Sequence, residues 1–136
     1  MIYVVVDTNV IISALYTSNS ESPTVKIVEA FLRKEITLLY NEEIINEYEE
    51  VLRRPKFKFP NLLVENFLVA IKRLGILSDR VDSGEFFYDE DDAVFYEVAL
   101  SKDNALLVTG NAKHFPKSPI VVTPAELISI IENNIK

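Results

Sequence analysis

Asp7 stands at the end of an unbroken apolar run, in the stretch YVVVDTNVIISAL, and Thr8 and Asn9 follow it directly. In open α/β sheets ligands bind beyond the carboxyl ends of the strands, so an acid at the end of a buried strand is placed for chemistry. Thr109 and Asn111 follow a second apolar run, ALLV, in the same way. A third acidic group, Asp89, Asp91 and Asp92, crowds the opening of DEDDAVFYEVAL. Capping and the helix dipole, worth ~0.3–1 kcal/mol each, account for one such acid and leave the excess unexplained. A fourth source is EEIINEYEEVLRR, whose apolar stripe is Ile44, Ile45, Tyr48, Val51 and Leu52. Glu47 and Glu49 lie on opposite shoulders of that stripe while Glu43 and Glu50 face away, and periodicity alone does not choose between the two shoulders.

Two carboxylates about 4 Å apart repel by about 4 kcal/mol at an effective dielectric of 20. A cluster of three or four is therefore unfavourable unless it is protonated or neutralised. A hard divalent cation that takes oxygen ligands, Mg²⁺ or Mn²⁺, neutralises it and explains both the residue type and the placement.

Other chemistries find little support. The chain has no cysteine and one histidine, so disulfides, thiolate sites and zinc are excluded. His114 sits in a Lys/Pro loop and reads as surface, and neither Ser13 nor Ser101 has a histidine partner in a hydrolase motif. The net charge of −7 argues against polyanion binding by the whole surface. Local cations remain: RRPKFK at 53–58, and a looser group of Lys113, His114 and Lys117. Ile2–Val6 has no basic flank and is broken by Asp7, and no apolar stretch approaches the ~18 residues of a membrane span, so a soluble cytoplasmic protein without a membrane partner is expected.

The elements that must position these acids alternate. Ile2–Val6, Ile36–Tyr40, Ala105–Thr109 and Ile120–Val122 read as strands, with Ile76–Val81 as a short edge strand. Val10–Tyr16 reads as a helix capped by Thr8 or Asn9. Pro23 opens a second, with Val25, Val28, Phe31 and Leu32 as its apolar stripe. Asn41 caps a helix of about 13 residues closed by Pro55. Asn61 begins another, with Leu63, Phe67, Ile71 and Leu74 in register and Gly75 as its stop. A helix bearing Val94, Phe95, Val98 and Ala99 follows the DEDD run, and Pro124 opens the last. The alternation predicts one domain over 1–136: a three-layer α/β/α fold around a central parallel sheet of four to five strands.

The order of these pieces, VVVDTNVIISAL, EEIINEYEEVLRRPKF, DEDDAVFYEVAL, LLVTGNAKHFP and IVVTPAEL, resembles the PIN-domain family over nearly the whole chain. The likeness is greatest to its small prokaryotic toxin components of toxin–antitoxin systems, related to VapC-type ribonucleases. The resemblance implies a Mg²⁺- or Mn²⁺-dependent endoribonuclease leaving 5′-phosphate and 3′-hydroxyl ends. It implies Asp7, Glu47 and Asp92 as catalytic metal ligands, Asp89 in support, and Thr8 and Asn9 as the polar residues that orient Asp7, with Thr109 as a further supporting residue. Many relatives carry a further aspartate where this chain has Asn111, a neutral oxygen that ligates or orients water without supplying charge, which bears on a second metal. Arg53, Arg54 and Lys113 are candidates for guiding an RNA backbone, and Tyr16, Phe57 and Phe59 for stacking on bases, although packing accounts for aromatics more often. The resemblance also implies a cognate antitoxin covering the acidic cleft, and a homodimer to which the Asn61–Leu74 helix contributes. Two other functions compete: a PIN-fold binding module that lost activity through Asn111, and a Mg²⁺-dependent phosphoacceptor signalling domain. A phosphoacceptor usually pairs acids after the first strand, where this chain has one.

Overall fold

The computed structural model describes residues 1–135. The β-branched run at the N-terminus forms β1 (Ile2–Val6), whose Val4, Val5 and Val6 are buried. A strand covered on both faces needs apolar side chains at successive positions, which is why the run does not alternate. The chain then passes through α1 (Thr8–Tyr16), α2 (Pro23–Leu32), β2 (Ile36–Tyr40), α3 (Glu42–Leu52), α4 (Asn61–Leu74) and β3 (Ile76–Leu77). It continues through α5 (Glu90–Leu100), β4 (Leu106–Val108), β5 (Val121–Val122) and α6 (Pro124–Ile135).

The five strands form one all-parallel sheet in the order β3-β2-β1-β4-β5. From β1 the chain moves outward to β2 and β3, then returns to the other side of β1 to lay down β4 and β5. Strand order therefore reverses between β1 and β4, and the crevice opens there. Helix α2 packs between α1 and α6, and α3 packs against α4 and α5, giving a three-layer α/β/α arrangement. Among the described residues no helix is long and apolar enough to cross a membrane.

Several local expectations are corrected. Neither Thr8 nor Asn9 caps α1: both are helical and the N-cap is Asp7, because its carboxylate and the Thr8 hydroxyl are drawn to partners outside the helix. In α2 the buried residues are Thr24, Ile27, Ala30 and Phe31, while Leu32 is exposed, since the helix is packed between α1 and α6 as well as against β2. In α4 Phe67 and Ile71 are buried as expected and Val64 and Leu68 join them, while Leu63 is exposed and Leu74 half-buried. The edge strand β3 ends at Leu77 rather than continuing to Val81. Beyond it the chain is held by side chains: Arg80 Nη1 lies 3.0 Å from Glu43 and its Nη2 2.7 Å from Glu97, and Glu97 also accepts from the Ser83 amide at 3.1 Å.

Helix α5 is buried from Ala93 to Ala99, not only along one stripe. It packs on β1 and β4 and against α3, so every face meets protein. That position carries its acidic N-terminus to the sheet's carboxyl edge.

Candidate active site

The register that pairs Val6 with Val108 puts the next residues, Asp7 and Thr109, side by side at the crevice. The Asp7 amide donates to the Val108 carbonyl at 3.0 Å, and the Thr109 hydroxyl donates to Asp7 Oδ2 at 2.7 Å. The same hydroxyl accepts from the Asn111 amide at 2.9 Å, so the backbone of Asn111 helps aim Thr109 at the acid. Burial raises the Asp7 carboxyl above its ordinary range, opposed by the Thr109 hydrogen bond and by nearby His114.

Helix α3 brings the second acid. Its N-cap is formed by Asn41 Oδ1, which accepts from the Ile44 amide at 2.8 Å. The buried Tyr48 hydroxyl donates to the Val6 carbonyl, pinning the helix to the end of β1. With α3 rotated to bury Tyr48, Glu47 faces α1 and accepts from the Thr8 hydroxyl. Glu49, on the other shoulder, meets Arg53 at 3.2 Å on the exposed surface. The packing of α3 thus decides between the two glutamates. Glu47 is also raised, by burial first, with Asp91, Asp7 and Asp92 adding to it against the Thr8 hydrogen bond.

The first turn of α5 divides its acids. Asp89 caps the helix by accepting from the Asp91 amide at 2.9 Å. Asp92, half-buried, is raised to about 6 by burial and by the charges of Asp7, Asp89 and Asp91, with His114 opposing. Asp91 points instead toward Glu47, in a small acidic hollow with Glu43, Asn46 and Glu50.

Asp7 after β1, Glu47 on α3 and Asp92 on α5 are therefore brought to one region: Glu47 feels the charges of Asp7 and Asp92, and Asp92 that of Asp7. Among the described residues none of the three is in an ion pair. Nor do any three acidic or imidazole side chains converge there closely enough, as they stand, to enclose an ion. The donors are nevertheless hard oxygens whose mutual repulsion a divalent cation relieves, so the set fits that ion in chemistry. Two of these carboxylates are turned onto threonine hydroxyls.

A cleft of about 640 Å³ opens over Asp92, lined also by Asn9, Asp89, Lys113 and His114, with Phe86 and Tyr88 at its rim. Thr8, expected to orient Asp7, instead donates to Glu47; the hydroxyl that serves Asp7 is that of Thr109, and Asn9 lines the cleft. Arg53 meets Glu49 and Glu65, and Arg54 meets Glu50 at 2.9 Å. Sequence reasoning missed the nearness of His114 to Asp7 and Asp92, which follows from a short turn after Asn111 that no periodicity signals. It also missed Tyr48, whose one available signal was a polar head inside an apolar stripe.

Residues 3–113 match the family model described as the PIN domain, and the chain belongs to the PIN-domain family. PIN domains are generally nucleases and typically use divalent metal ions. Comparison with curated proteins and with solved structures finds no match.

Proposed function

We propose that this chain is a Mg²⁺- or Mn²⁺-dependent endoribonuclease, with Asp7, Glu47 and Asp92 as its catalytic carboxylates. The observation that supports this reading is their assembly at the strand-order switch point, partly desolvated, raised and in no ion pair among the described residues. Their ionised forms are kept close at an energetic cost that capping does not require. Bound there, a divalent ion supplies positive charge to the phosphate in the transition state and acidifies an attacking water. Asp7, Glu47 and Asp92 would hold it, with Asp89 and Asn111 as further oxygen donors, while Thr109 and Thr8 orient Asp7 and Glu47 respectively. Water adds to phosphorus and the bond to the 3′ oxygen breaks, leaving a 5′-phosphate and a 3′-hydroxyl.

Lys113, exposed on the cleft wall, is positioned to meet the RNA backbone. Arg53 and Arg54 are further backbone contacts in this reading: exposed ion pairs are worth about 0–1 kcal/mol, so a phosphate displaces their glutamates at small cost. The proposed role is the toxin of a cytoplasmic toxin–antitoxin pair, its antitoxin covering the acidic cleft and the exposed Phe86 and Tyr88. The proposed assembly is a homodimer using the outer face of α4, where Leu62 and Val69 are exposed.

Calorimetric titration of Mn²⁺ into wild type and Asp92→Asn tests the site before any RNA target is known. Saturable binding that the substitution weakens supports it, and binding unchanged by the substitution removes Asp92. One residue favours a second reading: Asn111 supplies no charge, and a non-catalytic RNA- or protein-binding module would bind metal yet cleave no RNA.

A further inference from the structure

We propose that the groove beside Tyr16 is a nucleobase subsite, taking one unpaired base of a single-stranded RNA whose neighbouring phosphodiester lies at the acids. It rests on the nuclease reading and adds to it a base-holding contact outside the acidic cleft. Tyr16 is the last residue of α1 and is 68% exposed, although it lies in an aromatic cluster. Phe57 and Phe59 stack with centroids 5.6 Å apart and 12° between planes, and Tyr16 stands edge-on to them at 6.5 and 6.3 Å. The two phenylalanines thus brace the tyrosine ring, leaving much of it to solvent at the wall of a groove of about 530 Å³.

Charge and position identify the occupant. Of the four cations in 53–58, Arg53 and Arg54 are compensated by glutamates. Lys56 makes no ion pair among the described residues, and its ammonium sits 5.1 Å from the Phe57 ring centroid, on the groove wall. An uncompensated cation beside an exposed aromatic, on a chain of net charge −7, suits a ligand combining a flat apolar ring with an anion. Asn9 lines both this groove and the acidic cleft, so the two adjoin at that residue. Along α1, Asn9 and Tyr16 are separated by a rise of ~10 Å, which a short oligonucleotide spans. A base inside a duplex has no free face for Tyr16, so the subsite selects unpaired strands.

The test uses a short single-stranded RNA with 2-aminopurine at each position in turn, titrated with protein in EDTA so that binding is read without cleavage. The chain has no tryptophan, which keeps the probe's signal clear. Wild type is expected to quench the probe at one position and to ignore the same RNA in a duplex. Tyr16→Ala is expected to lose that quench and bind about tenfold more weakly. Tyr16→Phe keeps the quench, and circular dichroism of both variants matches wild type. No quench with wild type, or the same quench with Tyr16→Ala, overturns the subsite, including the case in which the groove is covered by a protein instead. The nuclease reading fails separately. Loss of the quench in Tyr16→Ala with no RNA cleaved at any metal concentration keeps the subsite and removes hydrolysis. Cleavage abolished by Asp92→Asn but unaffected by Tyr16→Ala, with the quench unchanged, does the reverse.

Discussion

Asp89 and Asp92 stand three positions apart in one acidic run, yet they do opposite things. Asp89 gives its carboxylate to the Asp91 amide and stabilises a helix end. Asp92 is held beside Asp7 and raised to about 6, so its charge at neutral pH works against the fold. Asp92→Asn is therefore expected to raise the Tm of the metal-free protein at pH 7 while weakening Mn²⁺ binding, as scanning calorimetry with EDTA or with Mn²⁺ would show. A fall in Tm with EDTA would mean that the carboxylate is structural. Thr109 gives the converse case. Thr109→Val removes the 2.7 Å hydrogen bond to a buried carboxyl group and is expected to cost about 1–3 kcal/mol in urea unfolding.

Among the elements, α3 and α4 show how packing selects from what the sequence leaves open. Tyr48 reaching the Val6 carbonyl fixes the rotation of α3, and the choice of Glu47 over Glu49 follows. Gly75 was legible as the stop of α4, but its reason is not the left-handed turn usual for such glycines. Its φ is −86°, and a Cβ there would lie 2.6 Å from the Ile71 carbonyl oxygen and 2.8 Å from that of Leu38. The residue lets α4 end tightly against β2. Gly75→Ala is expected to destabilise the protein by about 1–3 kcal/mol in denaturant unfolding, through overpacking against backbone that cannot yield.

For the whole molecule, the raised carboxyls of Asp7, Glu47 and Asp92 act in one direction. Between the ordinary carboxylate range and the raised values, the folded state binds more protons than the unfolded state, so their contribution falls as pH rises. For Asp92 the window runs from about pH 4 to about pH 6. The metal-free protein is expected to lose Tm across that window, and Mn²⁺ to restore it at pH 7 but not at pH 4. A flat profile would show that these carboxyls are not raised in the folded state. The proposed RNA contact extends to cations outside the acidic cluster. If both arginines contact phosphates, Arg53→Gln with Arg54→Gln lowers the salt slope of log K by about 2, and an unchanged slope dismisses them.

The sequence by itself determined the parallel α/β architecture, the acid at the end of β1 and the crowding of acids before α5. Apolar periodicity, proline and glycine positions and unshared charge are local signals, readable along the chain. It did not determine which acids meet. Thr8 turning to Glu47, Asp89 serving as cap, Asp92 facing Asp7, and His114 lying near both depend on residues far apart along the chain. The buried faces of α2 and α4 differ in part from the expected stripes for the same reason, since a helix packed by several neighbours buries what those neighbours cover. Strand order was decided only by the closed tertiary structure: placing β4 beside β1 brings Thr109 to within 2.7 Å of Asp7 and so creates the crevice.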